Sequence, residues 1–140
     1  MPLGNKVVLD TNIVVSAAIS ADGTPAKIFE LFLEKKIINH TTSRIISELK
    51  EVMDRPHISD CISEEYKAFI LDKFILLSAL IKPIFKENAV PEDEADNEFV
   101  NCALTVKADI ISGDNHLLKL GMYKGIKIFG ANEFLDMISE

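Results

Sequence analysis

Short apolar runs alternate with longer amphipathic stretches along the chain. That alternation predicts successive βαβ units around a mostly parallel sheet. Residues 6–10, with Val7, Val8 and Leu9 in succession, read as a strand buried on both faces. Residues 12–19 read as a helix capped by Thr11 or Asn12. Asp22-Gly23 is a turn, and Thr24-Pro25 a cap followed by proline at the first helical position. That helix carries Ile28, Phe29, Leu31, Phe32 and Leu33 and ends at Lys35-Lys36, whose charges suit a helix C-terminus. Residues 37–41 are a second strand. Thr42 or Ser43 caps a helix ending near Asp54-Arg55-Pro56, and Ser63 caps a long helix ending near Leu80. Residues 81–85 read as a strand that Pro83 restricts to a sheet edge. A helix from Asp93 to near Lys107, a strand at 109–112, a short helix at 115–120, a strand at 125–129 and a helix at 132–138 follow. The expected fold class is α/β: one three-layer domain over residues 1–140, with a central, mostly parallel sheet of about five strands flanked by helices.

The length of 140 residues and the 48% apolar content suit one domain with its own core. No apolar run approaches the ~20 residues of a membrane span. Met1-Pro2-Leu3-Gly4-Asn5-Lys6 lacks a signal-peptide hydrophobic region, so the expected location is cytoplasmic. Cys61 and Cys102 have no CxxC spacing and read as reduced packing residues. The net charge of −7 argues against a general basic nucleic-acid surface. It is compatible with a carboxylate-rich site whose charge divalent cations neutralise. The chain has no GxxxxGK(S/T), GxGxxG or GxSxG, which disfavours nucleotide-driven motors, dinucleotide oxidoreductases and serine hydrolases.

Four acids carry the candidate chemistry. Asp10 follows Val7-Val8-Leu9, and Asp114 follows Ile110-Ile111-Ser112-Gly113. Ligands of open parallel sheets bind beyond the carboxyl ends of the strands, where both acids are expected. On the helix after Ser43, residues Ile45, Ile46, Leu49, Val52 and Met53 form one apolar stripe. Glu48 lies about 100° from its centre, at the border, while Glu51 lies about 160° away and faces solvent. An i,i+4 ion pair with Arg44 is the other reading of Glu48. On the helix from Asp93, Asp96 falls within about 10° of the middle of the face formed by Phe99, Val100, Ala103 and Leu104. An inward carboxylate is expensive unless paired or metal-bound. Glu94 and Glu98 point outward and read as solvated charges, and Asp93 as the helix cap. Asp10 and Asp114 are each readable as caps at a βα turn. Taken together the four acids repel one another, and a divalent cation relieves this. Oxygen ligands select Mg2+ or Mn2+, and the chemistry implied is phosphodiester hydrolysis.

Thr11, Asn12 and Ser112 flank the candidate ligands; they orient them, bind phosphate, or serve as caps and turn formers. Asn97 is a weaker candidate for a polar contact, and His116 for a phosphate contact against a reading as solvated surface. His40 and His57 have no metal-ligand spacing. Lys27, Arg44, Lys50, Arg55 and Lys119 are candidates for guiding a polyanion, or ordinary solvated charges.

Val7-Val8-Leu9-Asp10-Thr11-Asn12-Ile13-Val14-Val15-Ser16-Ala17 resembles the opening of PIN domains, small metal-dependent nucleases. The resemblance continues at Ser43-Arg44-Ile45-Ile46-Ser47-Glu48-Leu49, at Asp96-Asn97-Glu98-Phe99, at 108–114 and at 125–129, and so spans nearly the whole chain. It is greatest to a stand-alone branch with toxin components of toxin–antitoxin systems. The resemblance implies Asp10, Glu48, Asp96 and Asp114 as catalytic Mg2+ or Mn2+ ligands, single-stranded RNA as substrate, a homodimer and an antitoxin partner. Ala95 stands where relatives of this branch tend to carry another acid. The competing account is a PIN-fold metal- or RNA-binding module acting through a partner. A receiver-like domain and a haloacid-type phosphatase fit less well: Thr11 follows Asp10 where the first needs a second acid, and Asp10-Thr11-Asn12-Ile13-Val14 is not DxDxT.

Overall fold

Val7, Val8 and Leu9 are each no more than 1% exposed. Successive side chains of a strand point to opposite faces, so both faces of the sheet are covered here. The structure is a computed structural model that describes residues 5–138. Residues 1–4, part of the stretch read as lacking a signal peptide, lie outside the described residues.

The elements are β1 (Lys6–Leu9), α1 (Thr11–Ile19), α2 (Thr24–Leu33), β2 (Ile38–Thr41), α3 (Ser43–Met53), α4 (Pro56–Ser59) and α5 (Glu64–Leu77). They continue with β3 (Ala79–Leu80), α6 (Glu94–Val106), β4 (Asp109–Ile111), α7 (Asn115–Leu120), β5 (Met122–Tyr123), β6 (Ile126–Phe129) and α8 (Ala131–Ile138). The sheet order is β3-β2-β1-β4-β6-β5. All neighbours are parallel except β5 and β6. The expected α/β architecture is therefore present. Helix α6 packs on β1, β2 and β4, while α1 packs on α2, α3 and α5. Phe32 and Phe74, both fully buried, meet at 6.2 Å between ring centroids in the second group.

Two strand expectations need correction. The edge strand is Ala79–Leu80, not 81–85. Helix α5 ends at Leu77, so His40 pairs with Ala79 and Thr41 with Leu80. Past Ile81 the chain turns its backbone to α6: Ile84 N–H donates to Thr105 Oγ1, Glu87 N–H to Asn101 Oδ1 and Val90 N–H to Asn97 Oδ1. Pro83 has no N–H to extend the ladder. The second correction is a sixth strand, β5. It pairs with β6 across Lys124 and Gly125, which have φ of 47° and 91°. Positive φ at both central residues is the hairpin geometry that matches strand twist.

Asn39 completes the ladder where β1 leaves β2. Its fully buried side chain accepts from Leu9 N–H at 2.8 Å and donates to Ser78 Oγ at 2.8 Å. Asn39→Leu strands the Leu9 donor and is predicted to cost about 1–3 kcal/mol. Urea unfolding measures it, and an unchanged midpoint would show that the bond to Leu9 adds nothing.

Candidate metal centre

The chain order explains where the acids meet. From β1 the sheet grows one way through β2 and β3 and the other way through β4 and β6. The crevice beyond the carboxyl ends of β1 and β4 is thus a topological switch point. Leu9 pairs with Ile111, and Asp10 N–H donates to Ile111 O at 3.0 Å. Asp10 and Asp114 consequently leave adjacent strands at the same end of the sheet.

Both are also helix caps. Asp10, not Thr11 or Asn12, caps α1 and accepts from Asn12 N–H at 3.4 Å. Asp114 caps α7, accepting from His116 N–H at 2.7 Å and Leu117 N–H at 3.4 Å. With the cap supplied by Asp10, the neighbouring side chains serve the site. Thr11 Oγ1 donates to Glu48 Oε1 at 2.8 Å. Asn12 Oδ1 accepts from Gly113 N–H at 3.2 Å and so ties the β4–α7 turn to α1. Ser112, fully buried, donates its hydroxyl to Asp10 Oδ2 and accepts from Asp114 N–H at 2.8 Å. The Arg44 ion pair is not formed by Glu48 among the described residues; its bond is to Thr11.

Asp96 lies on the first turn of α6 and is 4% exposed. Its Oδ2 has no hydrogen-bond partner. Asp93, Asp96, Asp114 and His116 each present one ligand atom, all within 4.8 Å of one another. The His116 Nδ1 stands 3.9 Å from Asp93, 3.9 Å from Asp96 and 3.8 Å from Asp114. Burial, then the negative charges of Asp114, Asp93 and Asp10, push the Asp96 carboxyl up to about 8. Burial also pushes Asp10 up to about 6, against the lowering effect of the Ser112 and Asn12 bonds, with Asp114 and Glu48 adding repulsion. The four predicted acids are thus coupled in one field: Asp96 and Asp114 share a cluster, Asp10 joins it through Ser112, and Glu48 joins Asp10 through Thr11.

Asp93 and His116 are new members. Asp93 is the cap that the sequence suggests, accepting from Ala95 and Asp96 N–H through Oδ1. Its Oδ2 is left facing His116. Glu98 departs from its expected solvation: it is partly buried and accepts from Thr42 Oγ1 at 2.7 Å, because the start of α3 covers that side of α6. Asn97 is spent on Val90 and Asn88. Arg55 pairs with Glu51 at 2.9 Å. Cys61 and Cys102 are free thiols.

A family model described as PIN domain matches residues 6–116. The chain belongs to the PIN domain family. PIN domains are generally nucleases that use divalent metals. The chain is 40% identical over 116 residues to the uncharacterized protein MJ1680 of Methanocaldococcus jannaschii, which covers 82% of this chain and 74% of that protein. Its fold is similar to a chain of VapBC2 from Rickettsia felis, solved bound to a DNA fragment from their promoter, with a TM-score of 0.58 and 16% identity. That match covers 89% of this PIN domain and 98% of the other chain. Three carboxylates, one imidazole and an orphaned buried carboxylate oxygen are a donor set that fits a hard divalent cation. No helix among the described residues is long and apolar enough to cross a membrane.

Proposed function

We propose that this PIN domain is a Mg2+- or Mn2+-dependent endoribonuclease that hydrolyses phosphodiester bonds of single-stranded RNA. One observation carries the reading: a buried, unpartnered Asp96 oxygen faces carboxylates brought from other elements. Burial without a partner is costly, and a cation is the compensation that this donor set suits.

In this reading Asp10, Asp96 and Asp114 hold the ion, and Glu48 positions or helps deprotonate the attacking water. Asp93 and His116 complete the mouth of the site. When bound, the ion polarises the phosphate and lowers the pKa of water. The protein's own part is to keep the acids in place and to release their protons. Asp96 is protonated up to about 8 and Asp10 up to about 6 without metal, so loading expels protons and strengthens as pH rises. Ser112 fixes Asp10 against Asp114, Thr11 fixes Glu48, and Asn12 fixes the turn before Asp114.

The resemblance to toxin components adds an antitoxin partner and a homodimer to the reading. Exposed Leu76, Leu80 and Ile84 favour burial against another chain. The test is cleavage of a mixed single-stranded RNA pool with Mn2+, with a chelator control. We expect cleavage that the chelator stops. Folded, metal-loaded protein that leaves the pool intact would turn the reading to a partner-dependent binding module.

A further inference from the structure

We propose that a groove between α6 and the segment 82–91 is the track along which single-stranded RNA approaches the acidic centre, with Arg44, Lys82 and Lys86 on its phosphates and Phe85 stacked on a base. The inference rests on the nuclease reading above and adds to it the residues that bind the polymer.

The groove has a volume of about 770 Å³, and its lining includes Arg44, Lys82, Phe85 and Lys86. It opens into the hollow that holds Glu48, since Arg44 and Glu98 line both. Topology places these cations at the catalytic end. Lys82 follows the carboxyl end of β3 and Arg44 that of β2, the same end of the parallel sheet from which Asp10 leaves β1. Arg44, Lys82 and Lys86 form no ion pair among the described residues. The acids of the wall are partly compensated: Glu87 is held by Lys124 Nζ at 2.8 Å and Tyr123 Oη at 2.7 Å, and Glu98 by Thr42. Three unpaired cations in a chain of net charge −7 are a local exception that suits a polyanion. An exposed aromatic among cations is the composition that binds single strands, because every base has a π-face.

The segment is irregular yet held. Asn97, Asn101 and Thr105 recur at four-residue spacing on α6 and bond Val90 N–H, Glu87 N–H and Ile84 N–H. Asn101 Nδ2 also donates to Glu87 O, and Asn97 Nδ2 to Asn88 Oδ1. This ladder spends side chains on fixing a strap that buries few apolar groups of its own. A preformed strap lowers the ordering cost of binding.

The test compares wild type with Lys82→Gln/Lys86→Gln, Phe85→Ala and the control Lys36→Gln, which lies before β2 at the opposite end of the sheet. Steady-state Mn2+-dependent cleavage of one mixed-sequence single-stranded RNA gives KM and kcat. Anisotropy of the same labelled RNA in chelator, across a salt series, gives the binding slope. Both groove variants are expected to raise KM on the order of tenfold with little change in kcat. The lysine variant should also flatten the slope of log K against log salt by about 1.4, for two phosphates released. Lys36→Gln should behave as wild type. If wild type cleaves RNA but the groove variants keep its KM and slope, or lose only kcat, the track is wrong and the nuclease reading stands. Wild type that neither binds nor cleaves RNA overturns both.

Discussion

Asp96→Asn is expected to lower Mn2+-dependent RNA cleavage by about a thousandfold or more, because it removes a charge at the centre of the ion's field. The same substitution should make the metal-free protein more stable at neutral and alkaline pH. The sign follows from proton linkage. The Asp96 carboxyl ordinarily titrates near 3.8 and is raised to about 8 in the fold. Between those values the folded state holds a proton that the unfolded chain has released, so apo stability falls as pH rises through the window. Asp10 contributes in the same direction between 3.8 and about 6. Asparagine cannot ionise, and the variant should lose the part of this decline due to Asp96. Mn2+ should then reverse the order, stabilising wild type by mass action and leaving the variant nearly unchanged. Thermal unfolding across pH, with chelator and with Mn2+, reads all three effects. A variant less stable than wild type in chelator above pH 8 would show that Asp96 is compensated by something other than a cation.

The second large effect is expected at Ser112. It touches no predicted substrate, yet its hydroxyl both donates to Asp10 and accepts from the Asp114 amide. Ser112→Ala leaves a buried carboxylate without its donor and an amide without its acceptor. The expected cost is about 1–3 kcal/mol in stability. Mn2+ affinity should fall about 10–100-fold, as for other residues that orient metal ligands. The bond to Ser112 lowers the Asp10 pKa, so its loss should move metal loading to higher pH. Calorimetric Mn2+ titration at several pH values checks this. Wild-type affinity in a folded Ser112→Ala would show that Asp10 and Asp114 need no link.

The acids were legible because their signals are local. Asp10 and Asp114 each follow a strand readable from three or more apolar residues, and a parallel sheet makes the positions after such strands meet. Asp96 was legible from helical phase, and its burial confirms the inward direction. Asp93 and His116 were not, because their part depends on the first turns of α6 and α7 meeting. A capping carboxylate also has a second oxygen whose use no spacing reveals. The segment 82–91 misled for a related reason. Its apolar residues suggest a strand, but its N–H groups are satisfied by Asn97, Asn101 and Thr105 from a helix later in the chain. The β5 hairpin turns on Lys124-Gly125, a weaker signal than Asn-Gly, and its strands are too short to show a period.

The central claim is that this cluster is a divalent-metal centre built around Asp96. The most direct measurement is a Mn2+ titration of chelator-stripped wild type and Asp96→Asn, followed by electron paramagnetic resonance of the free ion. The account predicts that wild type removes free-ion signal saturably at neutral pH, more tightly as pH rises, and that Asp96→Asn at most weakly does so. Equal uptake by the two folded proteins, or none by wild type, would contradict it.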